Sequence, residues 1–174
     1  MRFTLSSGTL NARLQSLSKV INSKNSIPIL DSFLFEVSNN ELKITASDNE
    51  NVMTSSVTLD QCDGEGSFAV PNRTILDAVK ELPEQPLSFD VDTEALTIKI
   101  LYQNGMYNFT AQNADEYPHT QTVPDSATVI TIESTAFINN ITRSLFATAQ
   151  DELRPVMNGI YFDLTTDYLA IVAT

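Results

Sequence analysis

The chain has one cysteine, one histidine and no tryptophan among 174 residues. The lone Cys62 allows no internal disulfide, which points to a reducing cytoplasm. It also has no partner cysteine, and no histidine nearby in sequence, for a metal site. His119, in a polar stretch between Pro118 and Pro124, reads as a solvated loop residue and not as a general base. Five glycines and seven prolines are too few for a fibrous or disordered chain. No apolar run is long enough to cross a bilayer, and the opening MRFTLSSGTL has no apolar signal core. A glycine-rich phosphate loop is also absent. Asp60, Asp63 and Glu65 lie in DQCDGEG, but they lack the ligand count of a calcium loop and read as a hairpin loop. The sequence therefore offers no grounds for an enzyme, a metal or a cofactor. Bases are scarce as well: ten Lys and Arg against 22 Asp and Glu leave a net charge of −12. This excludes a generally basic nucleic-acid coat. It leaves open an acidic protein with one basic surface, because binding follows the local potential.

Such a surface is present in outline. No acidic residue precedes Asp31, and Leu10 to Lys24 reads as an amphipathic helix. Leu10, Leu14, Leu17 and Ile21 form its apolar face, with Arg13 and Lys19 off that face and Lys24 just past its end. Ser6 and Ser7 are candidate caps. A second helix is expected over Arg73 to Leu82, with Ile75, Leu76, Val79 and Leu82 buried. Arg73 and Lys80 share its exposed side, with Asp77 between them. Around these helices the apolar residues alternate as strands at Phe3–Leu5, Ile29–Val37, Leu42–Ala46, Val52–Leu59, Phe68–Val70, Leu87–Val91, Leu96–Ile100 and Tyr107–Ala111. Asn39-Asn40 and Asn104-Gly105 mark hairpin turns, Asp60 to Gly66 an acidic loop, and Asn113 to Pro124 a linker. The expected fold is α+β, with two helices side by side on curved antiparallel sheet.

After the linker the pattern restarts. A shift of 127 positions aligns residues 3–47 with 130–174 without a gap, pairing Ser7 with Ser134, Pro28 with Pro155, Phe35 with Phe162 and Ile44 with Ile171. The helix expected from Ser134 to Gln150 is again acid-free and carries Arg143 opposite its apolar face. The organisation read from this is a complete domain at residues 1–122 and the beginning of a second at 123–174, cut before its second helix. The apolar side of that second segment, Phe137, Ile141 and Leu145, would then be bare, and the isolated segment unstable.

The unit resembles the bacterial sliding clamp family, the beta subunit of DNA polymerase III. The resemblance rests on MRFTL, Ser26-Ile-Pro-Ile-Leu30, Ala46-Ser-Asp48, Val70-Pro-Asn-Arg73, Leu82-Pro83, Arg154-Pro-Val-Met-Asn-Gly159 and the closing Ile171-Val-Ala-Thr174. It implies repeated clamp-fold domains with two subunits closed head-to-tail in a ring around duplex DNA, helices inside and sheets outside. It implies a processivity factor for the replicative polymerase, non-catalytic and cytoplasmic. The polymerase III catalytic subunit, the clamp loader and other clamp-binding-motif proteins would be its partners. By family position Lys24, Arg73 and Gln150 are DNA contacts, while Arg13, Lys19, Lys80 and Arg143 join them on helix location and charge. Arg154, Met157 and Thr174 match a pocket for partner peptides, although Pro155-Val156 stands where related clamps often carry aromatics. The competing reading is a β-rich interaction scaffold with no DNA role.

Overall fold

The computed structural model describes residues 1–21, 27–118, 124–149 and 153–174. The chain divides into two compact units, Met1–Gln121 and Thr122–Thr174.

The first unit contains strands β1 (Arg2–Ser6), β2 (Ser32–Ser38), β3 (Glu41–Ser47), β4 (Val52–Thr58), β5 (Gln61–Asp63), β6 (Gly66–Pro71), β7 (Pro86–Asp92), β8 (Thr97–Tyr102) and β9 (Gly105–Thr110). Its helices are α1 (Ser7–Leu17) and α2 (Asn72–Lys80). The antiparallel strands form two sheets, ordered β5-β1-β7-β8-β9 and β4-β3-β2-β6. A bridge between Ala69 and Gln112 links β6 to the segment after β9. The inward sides of both sheets and the apolar stripes of both helices form one core. Phe3 stacks on Phe89 within its own sheet at 4.7 Å. It also meets Phe68 of the other sheet at 6.5 Å, and Phe68 meets Phe35 at 5.3 Å. Leu10, Leu14, Leu17, Ile75 and Val79 are buried in this core, while Leu76 and Leu82 pack against it half-buried.

Several expected boundaries move, each for a local reason. The first helix runs from Ser7 to Leu17, not Leu10 to Lys24. It starts early because the Ser6 hydroxyl accepts the Thr9 N–H at 3.0 Å. It ends early because the chain tightens into three-residue turns, Val20 N–H to Leu17 O and Ile21 N–H to Ser18 O, where the buried stripe stops. The second helix ends at Lys80, and the Leu82 N–H closes a last turn on Val79 O. The expected strand from Ile29 begins instead as a 3-10 turn, Pro28–Asp31. Pro28, which has no N–H to give a strand ladder, opens the turn, and the Leu30 N–H closes it on Ile27 O at 3.1 Å. The acidic loop contains β5, which pairs with the edge of β1 through Phe3 and Cys62. The start of the expected linker is a folded strap. Asn113 caps a short 3-10 turn at Ala114–Glu116, and Tyr117 is buried with Ile29, Leu30 and Ala69.

The second unit contains α3 (Ser134–Leu145), a 3-10 turn at Pro155–Asn158, and strands β10 (Tyr161–Leu164) and β11 (Leu169–Val172). Every pairing of the β10–β11 ladder is the β2–β3 pairing moved by 127: Leu34↔Thr45 becomes Tyr161↔Val172, and Val37↔Leu42 becomes Leu164↔Leu169. The repeat seen in sequence is thus a repeat of register. One element does not recur. Residues 129–133, the counterpart of β1, form no strand, since β1 is held between β5 and β7 and described residues 124–174 contain no equivalent of either.

Candidate nucleic-acid interface

Both helices of the first unit turn their apolar side to the core, so their polar sides form an exposed surface. Contacts at each end fix how they lie. At the start of α1, the Ser7 N–H donates to Gln85 O at 2.8 Å. The Ser7 hydroxyl donates to Pro83 O at 2.9 Å and accepts the Gln85 N–H at 3.0 Å. The beginning of α1 is therefore clasped to the end of α2. At the opposite ends, Ser18 and Ile21 share a cleft of about 560 Å³ with Asp31 and residues Pro71 to Thr74, including Arg73. The Asn72 amide ties this end to Asp31 O at 3.0 Å. The two helices thus run antiparallel, with Lys19 and Arg73 at one end.

Arg13 on α1, Lys19 in the turn just past it, and Arg73 and Lys80 on α2 are all exposed. Among the described residues, Arg13, Lys19 and Arg73 form no ion pair, so their charge is available to a polyanion. Lys80 differs. Its ammonium group lies 2.9 Å from Asp77 Oδ1 and 3.9 Å from Glu81 Oε1. The Asp77 hydrogen bond and charge push the lysine's pKa up. Spacing on α2 puts Asp77 within reach of both Arg73 and Lys80, and it takes Lys80. The structure also adds Glu84, which sequence reading passed over: its carboxylate accepts the Ser6 hydroxyl at 2.5 Å at the start of α1. Only tertiary pairing across 78 residues brings them together.

In the second unit Arg143 is exposed on α3 and has no ion pair among the described residues. Lys24 and Gln150, and the loop histidine His119, lie outside the described residues. Arg154 precedes the 3-10 turn that holds half-buried Met157, whose N–H donates to Arg154 O at 2.9 Å. Thr174 is exposed at the end of the segment after β11. A separate apolar cleft of about 590 Å³ is lined by Ile130, Ile132, Phe137, Phe162, Leu164 and Leu169, with Phe137 and Phe162 stacked at 5.9 Å. No group of three or more metal-ligating side chains is found among the described residues.

The family model for the DNA polymerase III beta subunit, N-terminal domain, matches residues 1–121. Over its whole length the chain is 28% identical to the beta sliding clamps of Pseudomonas putida and Bacillus subtilis, covering 47% of each. It superposes along its full length on the DNA polymerase III subunit beta of Pseudomonas aeruginosa, with a TM-score of 0.90 at 25% identity. The Bacillus subtilis clamp structure gives 0.89 at 25%. Each match covers 47% of the solved chain. The chain spans about half the length of the curated relatives it matches.

Proposed function

The chain belongs to the DNA polymerase III beta-subunit family, and from that premise we propose that it forms part of a sliding clamp that holds the replicative polymerase on duplex DNA. In this reading residues 1–122 make one clamp domain and residues 123–174 begin the next. Two subunits of the full-length polypeptide close head-to-tail around the duplex in the cytoplasm. The polymerase catalytic subunit and the clamp loader dock by short peptides near Arg154, Met157 and Thr174. The protein works without catalysis: topology supplies persistence, and its residues need only stay near phosphate without reading bases.

The observation that carries the reading is the exposed set Arg13, Lys19 and Arg73, without an ion pair among the described residues, on and just past two antiparallel helices of a chain whose net charge is −12. Arg143 on α3, with Lys24 and Gln150 by family position, extends the set. The test is DNA retention by the full-length ring after Lys24→Glu and Arg73→Glu. Retention should fall for all DNA sequences alike. The log–log salt slope should flatten by about 0.9 for each phosphate that is no longer neutralised. Thermal stability should change little, since Arg73 is exposed and has no ion pair among the described residues. An unchanged slope would favour the scaffold without a DNA role.

A further inference from the structure

We propose that Asp77 keeps Lys80 out of the phosphate-contacting set, so that α2 grips DNA through its first turn alone and the clamp's hold on the duplex is set below what its basic residues permit. This rests on the DNA-facing reading of α1 and α2 and adds a residue that tunes it.

The geometry on α2 is specific. Arg73, Asp77 and Lys80 stand at positions i, i+4 and i+7, on one exposed stripe. Asp77 is within helical reach of both bases, yet its carboxylate sits 2.9 Å from Lys80, and Arg73 has no ion pair among the described residues. Helix electrostatics explain the choice. An acid preceding a base along the helix is the favoured order, and a base preceding an acid the poorer one, because the former agrees with the helix dipole. Glu81 at 3.9 Å gives Lys80 a second acidic neighbour. The three charges Asp77, Lys80 and Glu81 sum to −1, and they sit at the negative end of the helix dipole. Arg73 sits at the positive end. The exposed side of α2 is therefore polarised, attractive to phosphate at its start and repulsive at its end.

Competition for Lys80 favours the carboxylate. Asp77 is three residues away on the same rigid helix, so pairing needs no encounter. A phosphate on a sliding duplex passes only transiently and also meets the repulsion of Asp77 and Glu81. Removing the Asp77 charge leaves a lysine with one acid, 3.9 Å away, and with three free N–H donors on an exposed helix.

The experiment measures the equilibrium affinity of the full-length clamp for a short linear duplex, whose open ends let the ring slide on and off, over a series of NaCl concentrations. It compares wild type, Asp77→Asn, Lys80→Gln, Asp77→Asn with Lys80→Gln, and Arg73→Glu. Thermal melts confirm that each variant folds. Asp77→Asn should raise the affinity and steepen the log–log salt slope by about 0.9, the value of one more neutralised phosphate. Lys80→Gln should remove that gain, and its effect should be larger in the Asp77→Asn background than alone. If Arg73→Glu lowers the affinity but Asp77→Asn leaves it unchanged, the tuning role is overturned and the DNA-facing reading stands. The tuning role is overturned equally if the gain survives Lys80→Gln, because Asp77 then acts through its general field and not through Lys80. If Arg73→Glu has no effect, the DNA-facing reading itself fails, and the tuning role with it.

Discussion

Tyr117 shows how a single side chain can be read against its surroundings. It is buried among Ile29, Leu30 and Ala69, and its hydroxyl has no hydrogen-bond partner among the described residues. Burial pushes the hydroxyl pKa up to about 12; the Ser47 main chain, near the hydroxyl but outside hydrogen-bond geometry, offsets this only in part. An unfolded tyrosine loses its proton near 10. The buried neutral form therefore contributes stability that is fully present below pH 10 and is lost as pH rises from 10 towards 12. Tyr117→Phe removes an unsatisfied group from apolar packing. It should leave neutral-pH stability unchanged or raise it by up to about 1 kcal/mol. It should also reduce the stability loss between pH 10 and 12, as read by urea melts in that range. A loss of more than about 1 kcal/mol at neutral pH would mean that the hydroxyl is satisfied after all.

Helix starts give the comparison among elements. The repeat places Ser6 before α1 and Glu133 before α3. The Ser6 hydroxyl accepts one helix N–H. The Glu133 carboxylate accepts two, from Thr135 at 2.8 Å and Ala136 at 2.6 Å. Those two N–H groups hold the Glu133 pKa below the ordinary carboxylate value. The cap's contribution is therefore present above the unfolded pKa and is lost as pH falls through the lowered folded one. Amide protection in the first turn of α3 should weaken as the solution is acidified below about pH 4.3, the ordinary glutamate value. Glu133→Gln should blunt that dependence. Hydrogen exchange at Thr135 and Ala136 is the measurement, and protection independent of pH would refute the cap.

Across the whole molecule the two units differ in how well the same pattern is covered. Phe3, Leu5, Phe35 and Val37 are at most 2% exposed. Their counterparts Ile130, Ile132, Phe162 and Leu164 are 40–49% exposed. Sequence and register are repeated, so the difference comes from the layer on top: in the first unit β6, α2 and β7 cover these positions. Burial of such side chains stabilises by about 1.5–3 kcal/mol each, comparable for a few of them to the whole stability of a small domain. An isolated 174-residue polypeptide should show protected amides across the core strands of residues 1–117 and faster exchange across 124–174. Equal protection in both, in a species shown to be monomeric, would contradict this.

Everything set by local periodicity and by the repeat was readable from the amino-acid order. Alternation located the strands of the first unit other than β5, the Leu10–Leu14–Leu17 stripe located α1, and the shift of 127 matches the ladder register of β10–β11 pair by pair but not the missing strand at 129–133. These follow from side-chain spacing along one chain, which folding cannot alter. What depends on partners distant in sequence needed the folded molecule. Whether strands form one sheet or two was settled by which edges met, as was the pairing of β5 with β1. The burial of Tyr117 depended on a strap crossing to the Pro28–Asp31 turn. The site divides along the same line. The exposed charges of Arg13, Lys19 and Arg73 were legible because helix faces are legible. The antiparallel clasp of α1 on α2, which sets Lys19 and Arg73 at one end, was not. The pairing of Asp77 with Lys80 was legible in part: spacing allowed both bases, and the acid-before-base preference along a helix favours the pair that forms.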